Sequence, residues 1–114
     1  MTIQEIMNIV EGKLLCGDAN QQTVLRYAFA SDLMSDVLTV TQDDGILITG
    51  LASAQAVRTA MMSDIHVILF VRNKRITEDI VRLAEQSGIT VIVSAFSMFR
   101  AIGLLYNAGL KSVY

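Results

Sequence analysis

The segment "FASDLMSDVL", residues 29–38, sets the pair Ser-Asp twice, four residues apart, in an otherwise apolar run. On a helix that spacing puts Ser31 and Ser35 on one face, and Asp32 and Asp36 likewise. Two carboxylates so placed suit proton exchange or a divalent ion. One reading is therefore a metal-dependent enzyme using Asp32 and Asp36. The competing reading is helix punctuation. Like charges at this spacing repel on an exposed helix, and Ser and Asp are preferred N-caps. Ser31 or Asp32 would then start a helix, Asp36 would lie in its next turn, and Phe29, Leu33, Val37 and Val40 would run down its buried side. Capping is the simpler account.

A second set of candidates follows from the order of elements. Short apolar runs end in Thr49 and Gly50, in Arg72, Asn73, Lys74 and Arg75, and in Ser94. If the runs are parallel strands, these residues share the carboxyl edge of the sheet, where ligands of open α/β folds bind. Helix N-termini nearby favour anions. Ser31, Asp32, Gly50, Arg72, Asn73, Lys74 and Ser94 are thus the candidate ligand residues, with a phosphate or carboxylate as the matching chemistry. A solvated loop of surface charge is the alternative for the cations.

No catalytic set is well formed. Neither G-x-x-x-x-G-K-[ST] nor G-x-G-x-x-G occurs. His66 opens an apolar run and Cys16 closes one, each isolated from the partners a metal site needs. No cofactor is expected. Cys16 reads as a buried, inert thiol, and the six methionines as packing.

The elements that must position these groups are legible from periodicity. Thr2 and Glu5 form a capping-box pattern, opening a helix to about Glu11 with Ile3, Ile6, Met7 and Val10 on one face and Gly12 as its stop. "KLLC" and "RYAFA" read as strands, "GDANQQ" as a loop and "TQDDG" as a turn. Three strand–helix units follow. "GILITG" leads to a helix with Ala54, Val57, Ala60 and Met61 at helical spacing. "IHVILFV" leads to a helix capped by Thr77 and ended by Gly88, with Ile80, Leu83 and Ala84 inward. "ITVIVS" leads to a last helix, capped by Ser97 and ended by Gly109. The runs are continuously apolar, as strands buried on both faces are. The expectation is one three-layer α/β domain over residues 1–114 with a mostly parallel central sheet.

Composition limits the partners. Apolar residues make up 53% of the 114-residue chain, charged ones 18%, and the net charge is −2. A negative chain has no general attraction for nucleic acid, and there is no polybasic cluster for a membrane surface. With no basic, oily leader and one cysteine, a cytoplasmic protein is expected. The last helix is too oily for one buried stripe: only Arg100 and Asn107 are strongly polar in "SMFRAIGLLYNAG". Its excess face predicts a homodimer through Met98, Ile102, Leu104, Leu105 and Tyr106, unless "LKSVY" covers it.

Several segments resemble one family in collinear order. "FASDLMSDVL" resembles the "Y-x-SDLLSDVM" segment of DRTGG-domain proteins, and "QDDGILIT" resembles their "GDD-x-(W/L)IT". "HVILFVRNKR" is similar to "AIILVNGR", and "GITVIVSAFSMFRAIGLLYNAGL" to the family's ending. The positions expected to hold the family's naming motif are Gln22, Thr23, Arg26, Tyr27 and Ala28, so that motif is absent. The resemblance implies the fold of the N-terminal domain of HPr kinase/phosphorylase and a regulatory or scaffolding role without catalysis. It implies sensing of a small anionic ligand, a nucleotide or acyl phosphate, or docking on a metabolic or redox enzyme. A purely structural protein–protein interaction module is the alternative.

Overall fold

A computed structural model describes residues 1–20, 22–40 and 43–114. The chain runs α1 (Ile3–Val10), β1 (Lys13–Cys16), β2 (Tyr27–Ala30), α2 (Met34–Val37), β3 (Gly45–Thr49), α3 (Ala54–Met62), β4 (Val67–Phe70), α4 (Glu78–Gln86), β5 (Thr90–Val93), α5 (Met98–Asn107) and β6 (Lys111–Ser112). One six-stranded sheet has the order β1-β5-β4-β3-β2-β6. β1 is antiparallel to β5 and every other pair is parallel. This is the expected α/β architecture with a mostly parallel sheet. Among the described residues, no helix is long and apolar enough to cross a membrane.

The continuous apolar runs are explained by two cores, one on each face. Every residue of β3 and β4 is buried. Successive side chains alternate between faces. Leu47, Ile68, Phe70 and Val91 pack under α2, α3 and α4, while Ile46, Ile48, Val67, Leu69 and Ile92 pack under α1 and α5. Each such side chain contributes about 1.5–3 kcal/mol by leaving water.

The helix ends follow local chemistry, with some corrections. Thr2 and Glu5 make the capping box, and Ser97 Oγ accepts from the Arg100 amide at 3.1 Å. Thr77 occupies the N-cap of α4 but makes no side-chain cap bond. At the end of α1 the left-handed residue is Glu11, not Gly12. Gly12 serves close packing, since a Cβ there would press on Ile92. In α3 the buried positions are Ala56, Val57, Thr59 and Ala60, while Met61 is exposed. "LKSVY" packs Leu110 into the core beside α5 but leaves Phe99, Leu104 and Tyr106 exposed. It also supplies β6, pairing with the start of β2. The loop "GDANQQ" and the turn "TQDDG" lie partly outside the described residues.

Helix α5 buries Ala101 and Leu105. Leu105, only 1% exposed, belongs to the domain's own core and cannot face a partner. Met98 and Ile102 are partly buried against the same core. The exposed apolar groups of the helix are Phe99 (88%), Tyr106 (69%) and Leu104 (38%).

Candidate functional site

The Ser-Asp segment is not the helix start that its spacing suggests. α2 begins at Met34, its N-cap is Leu33, and no side chain caps it. Asp32 therefore lies outside the helix, and the shared helical face with Asp36 does not exist. The buried side of α2 is Met34 and Val37, followed by Val40. Leu33 is exposed, and Phe29 belongs to β2. Ser31 makes a local turn, its Oγ accepting from the Leu33 amide at 2.9 Å. Its own amide is tied to β3 through the Ile48 carbonyl at 3.1 Å.

Asp32 instead reaches across the ends of two strands. Its Oδ1 accepts from the Gly50 amide at 2.7 Å and from Thr49 Oγ1 at 3.0 Å. Its Oδ2 accepts from Arg72 Nη2 at 2.7 Å. Partial desolvation pushes this carboxyl up. The Gly50 amide, the Thr49 hydroxyl and Arg72 outweigh it and hold the group below its ordinary value. Thr49 is fully buried at the end of an apolar strand, and its hydroxyl also accepts from the Leu51 amide. A hydroxyl in that position needs partners. That need is the signal by which Thr49 could have joined the candidate set.

Arg72 lies against Gly50. A Cβ at residue 50 would collide with the guanidinium where it now lies, so glycine permits this close approach. Arg72 and Asn73 both have left-handed backbone, with φ of 69° and 55°. Such a conformation costs a non-glycine residue about 1–2 kcal/mol. Two bonds hold it: Arg72 N–H donates to the Phe96 carbonyl at 2.8 Å, and Asn73 N–H to the Ser94 carbonyl at 3.1 Å.

Ser94 is buried and committed to the fold. Its Oγ donates to the Val10 carbonyl at 2.7 Å and accepts from the Phe96 amide. It shapes the edge rather than facing a ligand. Lys74 and Arg75 are exposed and form no ion pair among the described residues. Arg100 lies over the Phe96 ring, 3.9 Å from its centroid, in the first turn of α5. Ser53, the N-cap of α3, has a buried Oγ without a partner among the described residues.

Of the candidates read from sequence, Asp32, Gly50 and Arg72 come together at one edge, while Ser94 is bound into the fold and Asp32 caps no helix. Among the described residues, no three His, Cys, Asp or Glu side chains form a metal-holding group. Cys16 is buried and its thiol donates to the Ile89 carbonyl. Burial pushes the thiol up, which keeps it protonated and inert.

The site is thus an acid–arginine pair at the carboxyl ends of the parallel strands of an α/β sheet. The sequence profile of the DRTGG domain matches residues 5–108, and the chain belongs to that family. No curated protein matches the sequence. Among solved structures, similarity extends to the CBS and DRTGG domains of the regulatory region of Clostridium perfringens pyrophosphatase, complexed with its activator diadenosine tetraphosphate. The TM-score is 0.78 at 14% identity, over 91% of this chain and 45% of that one. This chain therefore spans less than half the length of that regulatory region. The likeness is one of fold.

Proposed function

We propose that this DRTGG domain is a non-catalytic regulatory or scaffolding module that senses a small anionic ligand, a nucleotide or acyl phosphate, at the carboxyl edge of its sheet. The observation that carries this reading is Arg72, held over Gly50 by Asp32 at a strand end. A phosphate there competes with Asp32 for the guanidinium. Losing that pair loosens the segment leading into α2, so occupancy at the edge becomes a change in the surface of the domain. Lys74 and Arg75 add positive charge next to the site, and the Ser53 Oγ, without a partner among the described residues, stands three residues beyond Gly50. The regulatory region of the pyrophosphatase, with its nucleotide activator, makes the same role plausible for this fold.

A thermal-shift panel of nucleotides and acyl phosphates tests the proposal. A ligand at 100 times its dissociation constant stabilises by about 2.7 kcal/mol. That shift should disappear in Arg72→Gln. A flat panel would reject ligand sensing and leave docking on a metabolic or redox enzyme.

Phe99, Leu104 and Tyr106 favour a second reading, a homodimer or interaction module built on α5, because large exposed apolar side chains on one helix mark contact surfaces. Leu104→Asp should convert the assembly to monomer in sedimentation. Leu105→Asp would unfold the domain instead and says nothing about assembly.

A further inference from the structure

β6 covers only half of β2: it pairs with Tyr27 and Ala28 and with neither Phe29 nor Ala30. Lys111 N–H donates to the Arg26 carbonyl at 2.9 Å, and Ser31 N–H to the Ile48 carbonyl of β3. These two bonds fix the alternation along β2. Even-numbered residues turn their main-chain polar groups toward β6 and odd-numbered ones toward β3. Beyond Ser112 the chain leaves the ladder. Tyr114 N–H donates to Ser112 Oγ at 3.2 Å, and the Tyr114 hydroxyl bonds Thr39 Oγ1 at 2.6 Å. The exposed Ala30 is thus left at the open edge, with its N–H and C=O side by side and pointing into the gap where β6 would have continued.

A cavity of about 270 Å³ adjoins that gap, between the β2 edge and α5. Ala28, Ala30, Ile48, Ile102, Leu105 and Tyr106 contribute to its lining, which is mostly apolar. Small-molecule sites combine an apolar enclosure with a few placed polar groups, at volumes of roughly 300–1,000 Å³. This one falls just below that range, enough for a single ring system. A purely apolar occupant would leave the Ala30 amide and carbonyl unsatisfied, at a cost that an occupant bonding them avoids. Strand addition by a peptide rests on a run of main-chain bonds, and only one residue is free to supply them.

We infer that this cavity binds a flat heterocycle whose edge carries an adjacent hydrogen-bond acceptor and donor, in the manner of a nucleobase, read by Ala30 N–H and C=O. The site is separate from the anion-binding reading of Arg72 and does not depend on it. The two are close along the chain, since Ala30 is followed directly by Ser31 and Asp32.

The test is titration of the ¹⁵N-labelled full chain with adenine and with cytosine. Both should shift the amides of Ala30, Ile102 and Ser112 saturably, whereas benzoate, a flat ring without the paired edge, should not. Ile102→Trp fills the cavity from α5 and Ala30→Leu fills it from β2. Each should weaken adenine binding at least about tenfold, a loss of about 1.4 kcal/mol, in a chain whose spectrum stays dispersed. Arg72→Gln should leave adenine binding unchanged, which separates this site from the carboxyl edge. No saturable shift with either base in the wild-type chain would overturn the inference. So would shifts that survive both cavity-filling variants.

Discussion

Ser31-Asp32 and Ser35-Asp36 are the same dipeptide four residues apart, and the fold uses them differently. Asp32 takes three hydrogen bonds from the ends of β3 and β4. Asp36 is exposed in α2 and, among the described residues, bonds only through its main chain: the amide donates to the Leu33 carbonyl and the carbonyl accepts from Thr39 Oγ1. Composition and local spacing cannot distinguish the two. What separates them is where the chain exits β2: one residue pair still faces the sheet edge, and the next has turned onto a helix in solvent.

Substitutions should reproduce that asymmetry. Asp32→Ala removes three bonds and leaves the Gly50 amide, Thr49 hydroxyl and Arg72 without their acceptor. The expected loss is about 2–3 kcal/mol by chemical denaturation, moderated because the ion pair is partly exposed. Gly50→Ala forces the flexible end of Arg72 aside and should cost about 1 kcal/mol, since the obstruction is a side chain that can move. Ser31→Ala loses two local turn bonds to Leu33, both exposed and together worth about 0.5–1 kcal/mol. Asp36→Asn should stay within about 0.5 kcal/mol of wild type. An Asp36 variant as damaging as the Asp32 one would break the comparison.

Acid sharpens it further. The folded-state value of Asp32 is depressed, so its contribution is fully present above the ordinary carboxylate range and fades as pH falls through the lower folded value. Stability should therefore drop on acidification below about pH 4. The drop should be shallower in Asp32→Asn.

Local patterns carried the fold well and the site only partly. The fully buried runs "GILIT" and "VILF" announced a two-faced parallel sheet, and the Thr2–Glu5 box and Ser97 cap are visible in a few adjacent letters. β6 was not legible, because "KS" has no strand pattern and forms only by pairing with β2. The role of Asp32 was hidden for the same physical reason. Its partners Thr49, Gly50 and Arg72 are 17, 18 and 40 residues away, so helical periodicity gave the wrong neighbour, Asp36. Ser94 looked like a ligand group because it ends a strand, but its bond to Val10 spans 84 residues. Family likeness marked the Ser-Asp segment as diagnostic, and the geometry explains why one of its acids matters more than the other.

The central claim is that the Asp32–Arg72 pair is where an anion acts. Titrating the full chain with ATP and, separately, with acetyl phosphate, while following the Arg72 Nε–H and Gly50 amide resonances, tests it most directly. The account predicts that at least one of these anions moves both resonances together and saturably, as the guanidinium leaves Asp32 and the Gly50 amide loses its carboxylate. Resonances that stay fixed at saturating concentrations of both would contradict it.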